Sequence, residues 1–333
     1  MSTRATILAA AIAAGSLLVG IVPAAQAELR VSENYRLGSD PAPFRGKDAV
    51  ALAANPRNPQ HIVEVNANYL SQECESTVSL DGGNTWSAAT PLRPPAGGGE
   101  PFVPTCRASD HLADFTYQTV EFGSGENVYV AINTPRRAAG AGTGEQGASI
   151  LVAKSVDGGR TFGPAVTAAV GGLTSSAGPY YELPSLAVDP GAGTGGADRV
   201  LAAAIEVTGA FEPGGDAMTS VSNDGGMTFS GPVQVEPAGE QVAGPDSTSP
   251  PVFLPDGSAA IAWRQQGQTA PIKVARSTNG GQSWGPPVST AIATNTGSNS
   301  NTNPPQPLNS AGCQARSKAG PLATVENWST RMG

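Results

Sequence analysis

The chain has 333 residues, of which 42 are Gly and 29 are Pro, and its formal net charge is −8. An acidic chain is a poor partner for nucleic acid, whose phosphates need clustered Lys and Arg. The abundance of Gly and Pro disfavours a helical bundle and favours many short strands joined by turns, in a chain long enough for a sizeable core.

Residues 1–27 read as a secretory signal. Arg4 gives a positive start, Ala5 to Val22 is apolar, Pro23 breaks any helix, and Ala25-Gln26-Ala27 offers small residues for cleavage. The rival is an uncleaved anchor, which needs about 20 apolar residues. Thr6, Gly15, Ser16 and Gly20 interrupt the run and favour cleavage. No Cys lies near the cleavage site, so a lipoprotein is not expected. No later segment is apolar enough to span a membrane, and the mature chain is expected to be secreted or periplasmic.

From residue 28 to 290 the pattern is that of paired strands. Ala49 to Ala53 and His61 to Asn66 come first, then Phe115 to Glu121 and Asn127 to Asn133. Pro184 to Val188 and Arg199 to Val207 follow, and then Pro251 to Leu254 and Ser258 to Gln265. Each pair leads to a further alternating strand, such as Ile150 to Lys154 or Ile272 to Arg276, and then to a copy of one turn. The copies are Ser79-Leu80-Asp81-Gly82-Gly83-Asn84-Thr85-Trp86, Ser155 to Phe162, Ser222 to Phe229 and Ser277 to Trp284. The pattern is Ser-x-Asp-Gly-Gly-x-Thr-aromatic, with Asn279 for Asp and Ser283 for Thr in the last copy. Asp-Gly-Gly tolerates the positive φ that a tight hairpin needs. The Asp carboxylate can accept backbone N–H bonds just ahead of it, and the Ser and Thr hydroxyls can tie the two strands together. The terminal Trp86, Phe162, Phe229 and Trp284 can fill the core between sheets. Residues 291–333 are rich in Asn, Thr, Ser and Pro at first, show no strand periodicity, and read as a disordered tail.

These repeats resemble the Asp-boxes, or bacterial neuraminidase repeats, of the sialidase superfamily, over roughly Ala49 to Val288. The resemblance implies an all-β fold, a β-propeller of four-stranded antiparallel blades. It places each Asp-box between the third and fourth strands of a blade, away from the catalytic face. Asp81, Asp157, Asp224 and Asn279 are therefore structural on this reading. Four blades are visible where a sialidase has six. Either the tail ends a four-bladed ring, or the chain is an incomplete six-bladed propeller.

The same resemblance implies three arginines clamping a substrate carboxylate, a Tyr nucleophile with a Glu, and an Asp acid/base. Arg matches a carboxylate bidentately, and Tyr is the recognised exception among glycosidase nucleophiles. Arg45 has the place of the first arginine without its Arg-Ile-Pro context. Tyr181-Glu182 is the available Tyr-Glu pair, although neighbours on a strand point to opposite faces, and no Tyr follows Tyr181. Asp110 is the best-placed acid/base. Arg107, Arg199 and Arg264 could face a cleft but read more simply as surface charges.

Other chemistries fit less well. His61 and His111 are too far apart to suggest a zinc site. Asp189 to Asp198 lacks the spaced ligands of a calcium loop, and no nucleophile elbow or nucleotide motif is present. No metal and no cofactor is expected. The function expected is a monomeric, non-catalytic module binding a glycan or a cell-surface or extracellular protein. The alternatives are an exo-α-sialidase or a truncated inactive product of one.

Of three cysteines, Cys74 and Cys106 flank the first hairpin unit and are expected to pair, leaving Cys313 over. Closing that loop should stabilise the fold by about 3–4 kcal/mol. An unreduced tryptic digest should therefore show the two peptides linked, whereas free thiols at both positions would refute the pairing.

Overall fold

The computed structural model describes residues 47–68, 73–92, 117–135, 148–171, 180–207, 215–237, 239, 248–264 and 269–294. Contacts divide the chain after Arg36, and every described residue lies in the second unit.

The fold is all-β, with four four-stranded antiparallel sheets that form the blades of a β-propeller. Blade I holds β1 (Lys47–Asn55), β2 (Asn58–Asn68), β3 (Glu73–Ser79) and β4 (Thr90–Pro91). Blade II holds β5 (Gln118–Phe122), β6 (Val128–Pro135), β7 (Ala148–Ser155) and β8 (Val166–Ala169). Blade III holds β9 (Tyr180–Asp189), β10 (Arg199–Val207), β11 (Asp216–Ser222) and β12 (Val233–Gln234). Blade IV holds β13 (Val252–Phe253), β14 (Ala259–Arg264), β15 (Thr269–Ser277) and β16 (Val288–Thr294). Strand order within each sheet follows the chain, so every connection joins neighbours. Each strand expected from alternation forms within the described residues, Phe115 and Gln265 lying outside them. β16 runs to Thr294, four residues into the segment that composition alone assigns to the tail. It continues because Ala291, Ile292, Ala293 and Thr294 pair with Ile272 to Thr269 on β15.

The repeated turn lies between the third and fourth strand of every blade and is built the same way four times. In blade II the Ser155 hydroxyl donates to Asp157 Oδ1 at 2.8 Å and accepts the Gly159 N–H at 2.9 Å. Asp157 also accepts the Thr161 N–H at 2.9 Å and the Thr161 hydroxyl at 2.5 Å. Blades I and III repeat this around Asp81 and Asp224. In blade IV the amide of Asn279 reverses one bond: its Nδ2 donates to Ser283 Oγ at 2.8 Å. The hydroxyls thus converge on the Asp inside the turn, rather than tying strand to strand as the sequence suggested. The strands are closed instead by a backbone bond just past each aromatic, from Ser87, Gly163, Ser230 and Gly285 to Val78, Lys154, Val221 and Arg276. The carboxyls of Asp81, Asp157 and Asp224 are held below their ordinary range. For Asp81 the Thr85 hydroxyl bond dominates; for the other two partial burial opposes the shift, and the hydrogen bonds outweigh it.

The two glycines of each turn have φ between 72° and 97°, a region costly for other L-residues. The first glycine also ties the turn to its own blade: Gly82, Gly158 and Gly225 donate to the carbonyls of Gln60, Glu126 and Asp198. The second glycine meets the preceding blade. A Cβ on Gly159 would lie 2.7 Å from Val63, one on Gly226 3.1 Å from Tyr129, and one on Gly281 would collide with Leu201. Val63, Tyr129 and Leu201 hold the same place in their blades, each paired with the residue before the turn serine.

Between the sheets lie apolar layers. Val63, Val65, Val128, Val130, Ile132 and Phe162 fill the space between blades I and II. Tyr129, Ile150, Val152, Leu186, Val200 and Ala202 fill that between II and III. Ile205, Val207, Ile261 and Trp263 fill that between III and IV. Polar pins cross the same gaps: Arg57 donates to the carbonyls of Gly123 and Gly125, His61 Nε2 bonds the Gly158 carbonyl at 2.9 Å, and Ser220 bonds the Ala168 carbonyl.

Two substitutions test the turn. Asp157→Ala should destabilise the fold by about 1–2 kcal/mol by leaving turn donors unsatisfied. Gly159→Ala should cost more, roughly 2–4 kcal/mol, from positive φ and the encounter with Val63. Chemical denaturation should rank them in that order; equal or negligible losses would contradict the turn's role.

Candidate functional site

Each blade has a turn end, carrying the glycine turns, and a loop end, where the second strand finishes and the third begins. In blade III the loop end gathers the start of β9, the end of β10 and the start of β11. Tyr181, Glu206 and Asp216 are direct neighbours across these strands. Continuing the β11–β12 register from Met218↔Gln234 brings Glu236 opposite Asp216. A tyrosine and three carboxyls, one from each strand or its continuation, thus cross the sheet in a row.

The row depends on a bulge. Ser185 pairs with Ala203 but Glu182 pairs with Ile205, so β9 carries one extra residue there, and Leu183 takes a φ of 53°. Pro184 lies in the bulge, consistent with the lack of an N–H to give the ladder. The extra residue shifts the alternation and turns Tyr181, rather than Glu182, onto the face that carries Leu186 and Ala202. Tyr181 and Glu182 therefore go to opposite faces, as expected of strand neighbours. The partner of Tyr181 is Glu206, whose Oε2 accepts the phenol at 2.6 Å. Sequence reasoning missed Glu206. Its signal is a lone carboxyl near the end of β10, whose residues 200 to 205 are all apolar.

Tyr181 is 4% exposed and belongs to the buried cluster between blades II and III, with Ala168, Ala169, Leu186 and Ala202. Burial first, and then the Glu206 carboxylate, push its phenol well above the ordinary range. Glu236 is buried as well and accepts the Ala217 N–H at 2.8 Å. Burial raises its carboxyl to about 8, with Asp216 adding to the rise. Glu121 on β5 is likewise raised, to about 7, by burial.

Five arginines lie among the described residues: Arg57, Arg160, Arg199, Arg264 and Arg276. Four are held at the turn end. Arg57 spans to Gly123 and Gly125, Arg160 bonds the Asp157 carbonyl, and Arg276 pairs with Asp256. Arg199, a candidate for the cleft by sequence, bonds Asn223 Oδ1 at 3.1 Å and the Ala192 carbonyl at 2.9 Å. Arg264 closes β14 at the loop end.

The loop Asp189 to Asp198 is also structural. Asp198 is 1% exposed and accepts the Ser124 N–H, Asn127 Nδ2, the Tyr129 hydroxyl and the Gly191 N–H. Burial alone would raise its carboxyl; these bonds outweigh it and hold it low. His61 is buried edge-on against Phe122, with Nδ1 3.3 Å from Glu126. Among the described residues no group of three or more His, Cys, Asp or Glu could hold a metal ion. Cys74 is buried and disulfide-bonded, with its partner outside the described residues. Arg45, Cys106, Arg107 and Asp110 also lie outside them.

No family model and no curated protein matches the chain. Among solved structures it is similar to a protein of unknown function from Dyadobacter fermentans, at 17% identity and a TM-score of 0.41, covering 73% of this chain and 69% of that one. It is also similar to the leech intramolecular trans-sialidase, at 11% identity and a TM-score of 0.48, covering 79% of this chain but 53% of that enzyme. A third similar structure is the GH93 α-L-arabinofuranosidase of Fusarium graminearum, at 12% identity and a TM-score of 0.44, covering 71% and 64%.

The raised Glu236 carboxyl has a consequence for stability. A carboxyl whose folded pKa lies above its unfolded value stabilises the fold at low pH, and that contribution is lost as pH rises toward about 8. Glu236→Gln keeps an acceptor for Ala217 without the charge. Its melting temperature should approach that of the parent near pH 5 and exceed it near pH 8.5. A difference that does not change with pH would refute the shift.

Proposed function

We propose that the chain is an exported Asp-box propeller of the sialidase superfamily that binds a glycan, or a cell-surface or extracellular protein, without hydrolysing it. The reading of residues 1–27 as a cleaved signal supports export. Among the described residues, no helix is long and apolar enough to cross a membrane.

The observation that carries the non-catalytic reading is the state of Tyr181. A tyrosine nucleophile must reach a sugar carbon, with arginines nearby for the carboxylate. Tyr181 is buried between two blades, and its phenol is committed to Glu206 at 2.6 Å. Four of the five described arginines are engaged at the opposite end of the blades. The arrangement fits a satisfied buried hydroxyl that locks β9 to β10, leaving recognition to the loops.

One observation favours the second reading, an exo-α-sialidase or an inactive truncated product of one. A Tyr–Glu hydrogen bond is the pair that such an enzyme requires, and it occurs here at the loop end. The two readings separate in one experiment. Purified mature protein should release no fluorophore from a sialyl-glycoside above blank, and Tyr181→Phe should lower the melting temperature. Groups that act as a unit lose most of their rate when one member is missing. Turnover that vanishes in Tyr181→Phe or Arg45→Ala would establish the enzyme instead.

A further inference from the structure

The fourth strand is an edge of every sheet, and the blades close its loop end in different ways. In blade IV, β16 stays paired with β15 through the backbone to Thr294. In blade II the Gly171 N–H, just past β8, bonds the Ser149 hydroxyl at 3.0 Å. In blade III, β12 is only Val233–Gln234. Two bonds at Ala217 carry the pairing further. The Ala217 carbonyl accepts the Val235 N–H at 2.8 Å, and both oxygens of Glu236 accept the Ala217 N–H, at 2.8 and 3.0 Å. A side-chain carboxyl thus stands where the other blades use a backbone carbonyl or a hydroxyl, and of these groups only the carboxyl changes its charge with pH.

Glu236 is 3% exposed, and the polar groups that face it are acidic. Asp216 of β11 lies opposite and is a hydrogen-bond partner of its carboxyl. Glu206 of β10 lies opposite Asp216, and Tyr181 of β9 donates its hydroxyl to Glu206. Blade II adds only uncharged side chains to this part of the junction, Ile150, Ala168 and Ala169. The strands of blades II and III carry two cations, Lys154 and Arg199, and two further acids on or near this face, Glu121 and Asp189; all four lie at the turn end. Two carboxylates directly opposite each other on a sheet repel, and burial penalises the charge further. The relief open to an ionised Glu236 is to turn out into water, which gives up the Ala217 N–H.

We propose that Asp216 and Glu236 form a proton-operated latch on the fourth strand of blade III. With one proton shared between them, Glu236 stays in and holds the chain after β12 against β11. With both carboxyls ionised, Glu236 leaves for solvent and the loop end of this pairing opens. Val235 is affected with it, because it packs with Ile261 and Trp263 between blades III and IV. The latch therefore also governs how firmly that junction is closed at the loop end, and it does not depend on what the loops bind. The sign follows from the raised carboxyl: its ordinary value is 4.5 and burial takes it to about 8. The closed form is thus fully favoured below about pH 5, loses its advantage as pH rises toward about 8, and changes little beyond that.

Amide hydrogen exchange of the full mature chain, corrected for the intrinsic effect of pH on exchange, tests this. Protection of the Ala217 N–H should fall by about tenfold or more between roughly pH 6 and 8 and then level off. The Val221 N–H, bonded to Ser230 at the turn end of the same strand, should keep its protection. Glu236→Gln retains an acceptor without the charge and should hold Ala217 protected across the range. Asp216→Asn removes the repelling neighbour and should make the fall shallower; it also serves if Glu236→Gln does not fold. The latch is overturned if Ala217 protection in the parent does not change with pH, or if Val221 falls in parallel, which would mark global unfolding. A Glu236→Gln variant that still shows the parent's fall would overturn it as well. Asp216→Asn behaving like the parent would overturn the shared proton.

Discussion

The fold depends on a hydrogen-bonded turn that has no side chain at its tip. Two consecutive glycines adopt positive φ, and the serine and aspartate before them satisfy the N–H groups thereby exposed. The missing Cβ atoms do a second job. They let the turn backbone approach the preceding sheet closely enough to meet Val63, Tyr129 or Leu201. Local turn chemistry and blade packing are thus set by the same two residues. This explains why Asn279 can replace Asp, since an amide still links to Ser283, while every copy keeps both glycines.

Around that turn the junctions combine apolar layers with a few fully used polar groups. Asp198 joins four donors from two blades, and His61 and Arg57 bond carbonyls in the neighbouring blade. Buried polar groups of this kind add little net energy when satisfied but cost heavily when misplaced. They therefore fix the register between sheets whose aliphatic layers alone would tolerate sliding. They also account for acidic and basic residues that could be mistaken for a functional cluster.

The loop end is different in character. Tyr181, Glu206, Asp216 and Glu236 share one line across blade III, and two of them are buried with ionisation held back. At the turn ends the glycine turns are closed by internal bonds, whereas this row lies at the start of β9 and β11 and the end of β10. There Tyr181, bonded to Glu206, ties β9 to β10.

The sequence alone determined much of this. The strand pairs follow from alternation, and the four turns follow from Ser-x-Asp-Gly-Gly-x-Thr-aromatic, because these are local features set by φ preference and side-chain reach. The turn hydrogen bonds of Asp81, Asp157, Asp224 and Asn279 follow from the same local chemistry. What only the tertiary structure decided was which residues meet. Tyr181 finds Glu206, 25 residues away, because a bulge at Leu183 shifts the alternation by one. Arg199 is drawn to the turn end by Asn223 and Ala192. Asp198 becomes a junction between blades rather than a loop acid. β16 extends to Thr294 because β15 offers it a partner, past residue 290, after which the sequence reading began the tail. Each of these depends on contacts between segments far apart in the chain, and a pattern that repeats every two residues carries no information about a partner on another strand.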